Sequence, residues 1–233
     1  MHAYCVNLEK REDRRRDVRE EFDRERLAVE FFRATDGRVG TPSGIYVTPS
    51  EYGCSMSHAR IWKDIVERGH SLALIMEDDV RLIPNFKTKL QQILEEAKSI
   101  PWDIIHLGPL IPIFKQNVSK SLYEGQPLGT HAYLIRLECA RKIYPFDPSL
   151  MKVSVDFQLN RFPIKILCTY ETLAKQVSMA DAPLVGLMKS AFEGDIGLNR
   201  TYDLNYFIRY ALQKFGIVIA LFVSFVVLIL IRN

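Results

Sequence analysis

An α/β fold with a central, mostly parallel sheet is what the sequence predicts, on three observations. Short apolar runs alternate with segments of helical period along most of the chain, the pattern of strands joined by covering helices. The run Leu72-Ala73-Leu74-Ile75-Met76 has no polar member and reads as a buried strand. It stops abruptly at Glu77-Asp78-Asp79, and sheets of this class collect their ligand-binding groups at the carboxyl ends of their strands. A chain of 233 residues, 48% of them hydrophobic, is long enough for one sizeable core, so a single domain over residues 1–205 is expected.

Taken in order, strands are predicted at residues 3–8, 29–33, 71–76, 103–107, 132–136 and 164–169, with helices near 11–27, 55–68, 85–98 and 138–144. The charged stretch 9–26 balances acidic against basic residues and is broken only by Val18 and Phe22. That i, i+4 pair gives a solvated, ion-paired helix one face to bury. Gly, Pro, Ser and Thr crowd residues 35–53 and part of 108–129, so both are read as loops.

The formal charge of +3 is matched by Arg209, Lys214 and Arg232, which lie in or beside a C-terminal apolar tail without Asp or Glu. The remaining body is charge-balanced, which excludes the broad basic surface that gripping nucleic acid demands. Residues 215–231 carry Ser224 as their only polar member and would span about 26 Å as a helix. A transmembrane helix is expected there, preceded by a juxtamembrane segment at 206–214; a buried core helix is the alternative. Arg200, Arg209 and Lys214 precede the span and Arg232 alone follows it, so the positive-inside tendency predicts a tail-anchored protein with a cytosolic body. A lumenal body would instead make Asn117-Val118-Ser119 and Asn199-Arg200-Thr201 glycan acceptors. Cys5, Cys54, Cys139 and Cys168 show neither zinc-ligand nor redox spacing and read as free thiols.

Three adjacent carboxylates at the end of a buried strand repel one another and are costly to desolvate; a bound cation relieves both. Hard oxygens suit Mn²⁺ or Mg²⁺, ions that share their coordination with substrate phosphates. A solvated acidic turn is the alternative. Upstream, Gly53-Cys54-Ser55-Met56-Ser57-His58 opens the second predicted helix. Free N–H groups at a helix start, with Ser55, Ser57 and His58, would receive a diphosphate. Ser55 or Ser57 as a plain N-cap, with His58 a core histidine, is the alternative.

Asn7-Leu8 with Arg11, Asp13 and Arg14, then Asp36-Gly37, Gly53-Cys54 with Ser57-His58 and Trp62, and Ala73-Leu74-Ile75-Met76-Glu77-Asp78-Asp79 follow in an order that resembles glycosyltransferase family 25. That family includes bacterial lipooligosaccharide galactosyltransferases and collagen galactosyltransferases. The similarity continues through Trp102-Asp103, Leu107-Gly108, Ala132-Tyr133-Leu134-Ile135, Val155-Asp156 and Gln176, while residues 172–179 follow the pattern only loosely. The resemblance implies a GT-A-like fold and a metal-dependent, inverting transfer of galactose or glucose from a UDP-sugar. The acceptor would be a hydroxyl of a glycan, a lipid-linked saccharide or a protein. Carried over residue by residue, it puts Mn²⁺ or Mg²⁺ on Glu77 and Asp79, the nucleotide and its phosphates on Asn7, Arg14, Ser57, His58 and Asp78, and the general base on Asp156. Two other classes stay open: a Mg²⁺-dependent phosphohydrolase or nuclease using the same carboxylates, and a membrane-anchored carbohydrate-binding or scaffold protein without turnover.

Overall fold

The computed structural model describes residues 1–41, 47–147 and 152–177, together with positions 209 and 227. Apart from those two positions, the expected transmembrane helix at 215–231 and juxtamembrane segment 206–214 lie outside the described residues, as does the triplet Asn199-Arg200-Thr201. Among the described residues, no helix is long and apolar enough to cross a membrane.

In chain order the elements are β1 (His2–Asn7), α1 (Glu12–Arg24), β2 (Glu30–Arg33), α2 (Pro49–Arg68), β3 (Leu72–Glu77), β4 (Val80–Leu82) and α3 (Phe86–Glu96). There follow β5 (Ile104–His106), β6 (Leu110–Asn117), β7 (Leu122–Leu128), β8 (Ala132–Arg136), α4 (Leu137–Ile143), α5 (Val155–Leu159), β9 (Ile166–Thr169) and β10 (Ala174–Gln176). One large sheet has the order β2-β1-β3-β8-β5-β9-β7-β6, and β4 pairs with β10 in a separate ladder. The expected parallel arrangement is found in β2-β1-β3 and in β5-β9. β8 enters antiparallel between β3 and β5, and the β6–β7 hairpin extends the sheet beyond β9, so the sheet is mixed.

Period-two alternation sorts the core into two layers. Cys5, Leu74, Met76, Ile105 and Leu134 face α1 and α3, meeting Val18, Phe22, Phe86 and Leu90. Their neighbours Tyr4, Val6, Ile75, Ile104, Tyr133 and Ile135 face α2, α4 and α5, meeting Ile61, Trp62, Cys139 and Val155. The sheet is therefore covered on both sides, and Val18 with Phe22 is indeed the buried face of the charged first helix.

Two of the expected loops are corrected. Residues 110–128 form the β6–β7 hairpin. Pro112 is tolerated because β6 is an edge strand with register irregularities on either side of Ile113 and Phe114. The helix expected from residue 55 begins at Pro49, with Pro at its first turn. Thr48 caps it: its hydroxyl accepts from Glu51 N–H while the Glu51 carboxylate accepts from Thr48 N–H, a reciprocal capping box. At the far end Gly69 takes φ 67°, the left-handed turn that closes helices.

The early start of α2 lets the connection after β2 press directly on its backbone. A Cβ on Gly37 would lie 1.7 Å from Pro49 O, and one on Gly53 would lie 2.6 Å from Thr35 O. Gly53→Ala is therefore expected to cost about 1–3 kcal/mol as the two backbones separate. The measurement is urea unfolding, where the midpoint should fall at unchanged slope; a midpoint equal to the parent's contradicts this contact.

Candidate active site

A cavity of about 620 Å³ opens where β1 and β3 end. Its size is ordinary for a small-molecule site. The wall is built from the turn after β1 (Leu8, Lys10, Arg11), the connection after β2 (Ala34 to Arg38), the first turns of α2, the acidic trio, Gly129-Thr130, Ser154 to Asp156 and Gln176. These segments meet because β1, β2 and β3 run in parallel and present their carboxyl ends together, while antiparallel β8 starts beside the end of β3. Glu77 N–H donates to His131 O at 3.0 Å and fixes that junction.

The three carboxylates are each handled differently. Asp78 is buried and accepts from Asn7 Nδ2 on one oxygen and from Arg14 on the other, both at 2.9 Å. Asn7 also donates to Arg11 O, tying the end of β1 to the start of α1. Glu77 accepts from the Thr130 hydroxyl at 2.7 Å and faces His58 Nε2 at 3.3 Å, both on Oε1. Burial pushes the Glu77 carboxyl up, but the hydrogen bonds from His58 and Thr130 outweigh it and hold it below its ordinary value. Among the described residues, the Asp79 carboxylate receives only the Gln176 amide at 3.2 Å and a longer approach of Arg14 at 3.8 Å. Its Oδ1 is buried without a hydrogen-bond partner among the described residues. Burial first, then the charge of Glu77, raises Asp79 to about 6.

Behind Glu77 runs a buried polar chain. Trp62 Nε1 donates to the Tyr133 hydroxyl at 2.9 Å, and that hydroxyl lies 2.9 Å from His58 Nδ1. The bonds are mutually consistent when Tyr133 donates to Nδ1 and Nε2–H donates to Glu77, a tautomer assigned from the network. Burial drives Tyr133 well above its ordinary value, so it stays a neutral phenol. His58 is thus both a core histidine and a neighbour of the acidic trio.

Ser57 lies inside α2, not at its start, because the helix begins at Pro49. Its hydroxyl donates to Gly53 O at 2.6 Å and accepts from Thr35 N–H at 2.8 Å, which anchors the connection after β2. Asp156 sits in the first turn of α5 on the cavity wall. Ser154 Oγ and Phe157 N–H donate to its Oδ1 at 2.6 and 2.9 Å, and Gly129 N–H donates to Oδ2 at 3.1 Å. The structure thus gathers Glu77, Asp79, Arg14, Ser57, His58, Asp78 and Asp156 around one cavity, with Asn7 bonded behind Asp78. Sequence reasoning gave no role to Thr130, or to Tyr133 as the partner of His58. Nothing in the local pattern marks them, since Tyr133 on β8 and Thr130 just before it meet partners far away in the sequence.

The raised pKa of Asp79 has a definite sign in stability. In the metal-free chain the fold holds this proton more tightly than the unfolded chain does, so its contribution is greatest below about pH 4 and is lost as pH rises through about 6. Asp79→Asn is therefore expected to be more stable than the parent by about 2–3 kcal/mol at pH 7 with chelator present, the difference shrinking towards pH 4. Paired urea titrations across this window test it; a pH-independent difference contradicts the assignment.

The family model described as glycosyltransferase family 25 (LPS biosynthesis protein) matches residues 1–119. A protein from Aedes aegypti named glycosyltransferase 25 family member is 30% identical over 226 residues, covering 84% of this chain and 37% of its own length. Procollagen galactosyltransferase 1 from Danio rerio is 29% identical over 193 residues, with 70% and 32% covered. Inactive glycosyltransferase 25 family member 3 from Homo sapiens is 36% identical over 121 residues, with 49% and 20% covered. The chain spans well under half the length of each of these relatives. The residues matched by the family model run from β1 through α2 and the acidic trio into β6, and the chain belongs to glycosyltransferase family 25.

Proposed function

We propose that this chain transfers galactose or glucose from a UDP-sugar to a hydroxyl of a glycan, a lipid-linked saccharide or a protein, on a GT-A-like fold and with inversion at the anomeric carbon. A divalent cation, Mn²⁺ or Mg²⁺, is held by Glu77 and Asp79. The observation that carries this reading is the partnerless, buried Oδ1 of Asp79 beside two further carboxylates. A buried carboxylate oxygen without a donor is unfavourable, and a cation offsets that cost. Two hard oxygen donors facing a cavity fit this ion class. When bound, such an ion supplies Lewis-acid stabilisation of the charge on a departing diphosphate.

The chain's own residues do the rest. Arg14, with Lys10, Arg11 and Arg38 on the cavity wall, contributes positive charge where two phosphates would lie. Asn7 and Asp78 hold Arg14 and the end of β1 in register for that contact. Asp156 takes the proton from the acceptor hydroxyl as its oxygen bonds to the anomeric carbon. The bond from that carbon to the phosphate oxygen breaks on the opposite face, and UDP leaves with the electron pair. Ser154, Phe157 N–H and Gly129 N–H keep the Asp156 carboxylate oriented.

The name of the Danio rerio relative supports a galactosyl donor and a protein acceptor. The name of the Homo sapiens relative favours a second reading, a carbohydrate-binding protein of the same fold without turnover. A membrane anchor at 215–231 with a cytosolic body completes the proposal and rests on the sequence pattern alone.

The test is the purified full chain with a panel of nucleotide-sugars, with Mn²⁺ or with chelator, scored for nucleoside diphosphate release. Release from one donor is expected, abolished by chelator and by Asp79→Ala. Asp156→Asn should lower it about a hundredfold to ten-thousandfold while donor binding persists. Donor binding without release selects the second reading, and a folded chain that binds no donor refutes both.

A further inference from the structure

Glu77 belongs to a second donor set as well. Cys54 and His58 stand four residues apart on one face of α2 and bring Sγ and a ring nitrogen towards a Glu77 carboxylate oxygen, all within 4.8 Å of one another. The separation of His58 Nε2 from Glu77 Oε1 is 3.3 Å. Charge-assisted hydrogen bonds are shorter, about 2.7–2.9 Å. A tetrahedral ion with bonds of about 2.0 Å to nitrogen and oxygen has a ligand-to-ligand edge of about 3.3 Å, and its edges to a thiolate are about 3.5 Å.

The ring of His58 and the carboxylate of Glu77 are each held in place by a further hydrogen bond. His58 Nδ1 lies 2.9 Å from the Tyr133 hydroxyl, to which Trp62 also donates. Metal binding takes the tautomer opposite to the one assigned in the metal-free chain: with the proton on Nδ1, the imidazole donates to the Tyr133 oxygen beside the indole, and Nε2 is left as a ligand. Thr130 holds Oε1 of Glu77 at 2.7 Å, and its hydroxyl also lies 3.8 Å from Cys54 Sγ. Cys54 forms part of the cavity wall, which supplies an entry path.

We propose that Cys54, His58 and Glu77 constitute a zinc-type site. Binding releases the Cys54 thiol proton, which burial and the Glu77 charge hold in the metal-free chain, and the resulting thiolate with the imidazole selects a borderline-soft divalent cation over Mn²⁺ or Mg²⁺. One consequence rests on the transferase reading above: zinc bound here withdraws Glu77 from the oxygen site and inhibits transfer. The site itself does not depend on that reading.

Cobalt(II), added to the chelator-stripped full chain, is the probe, because a thiolate ligand gives it a charge-transfer band that oxygen ligands do not. The expected result is a band that saturates at one cobalt per chain, is displaced by zinc, persists in Asp79→Asn and is lost in Cys54→Ser. No band in the parent chain, or a band that survives in Cys54→Ser, overturns the proposal. If Cys54→Ser does not fold, the parent chain decides alone. Zinc should slow alkylation of Cys54, read peptide by peptide, by about tenfold or more, while manganese leaves the rate unchanged. Equal rates with and without zinc overturn the site. A cobalt band in a chain that neither binds nor turns over any sugar nucleotide sinks the transferase reading and keeps this one; turnover without the band does the reverse.

Discussion

Three successive carboxylates at the buried end of β3 are the constraint around which this molecule is arranged. They cannot all be ionised at close range in a low dielectric without partners. The fold answers by drawing a different partner to each from a different element. Asn7 and Arg14 come from β1 and α1 to Asp78, His58 and Thr130 come from α2 and the approach to β8 to Glu77, and Gln176 comes from β10 to Asp79. The division is unequal, and burial followed by the charge of Glu77 raises Asp79 to about 6.

The scaffold makes that convergence achievable. Parallel β1, β2 and β3 bring three connections to one edge, and the antiparallel entry of β8 sets Thr130 and His131 beside the last residue of β3. Trp62 and Tyr133 then carry rigidity from the packed core to His58, since both are fully buried and hydrogen-bonded to one another. A polar network inside a close-packed layer costs little when its members satisfy one another.

Much of this was legible in the residues before any coordinates. The strands of the central sheet announce themselves by apolar runs, and Val18 with Phe22 identifies the buried stripe of an otherwise charged helix. The acidic trio stands out because it interrupts the most apolar of those runs. What local pattern hides is everything set by distant pairing. β4 and β10 are each three residues long, too short to show a period, yet they deliver Gln176 to Asp79 across 97 residues of sequence. The β6–β7 hairpin is masked by Pro112, Gly125 and Pro127, which read as turn residues but sit in strands at the outer side of the sheet. The first turn of α2 was signalled by Pro49 and by the Thr48–Glu51 spacing, a capping pattern overshadowed by the glycines and serines around it.

The β4–β10 ladder is brief, and brief ladders open more readily than long ones. Gln176 is its last residue, and Val177 N–H, just beyond, donates to Asp79 O at 2.9 Å. With the ladder apart, the Gln176 amide would leave Asp79 and water would reach the carboxylate. Rehydration is the larger of the two influences, so the group becomes more acidic while the ladder is apart. The charge that Asp79 offers a cation is therefore tied to the pairing of two three-residue strands that lie far apart along the chain.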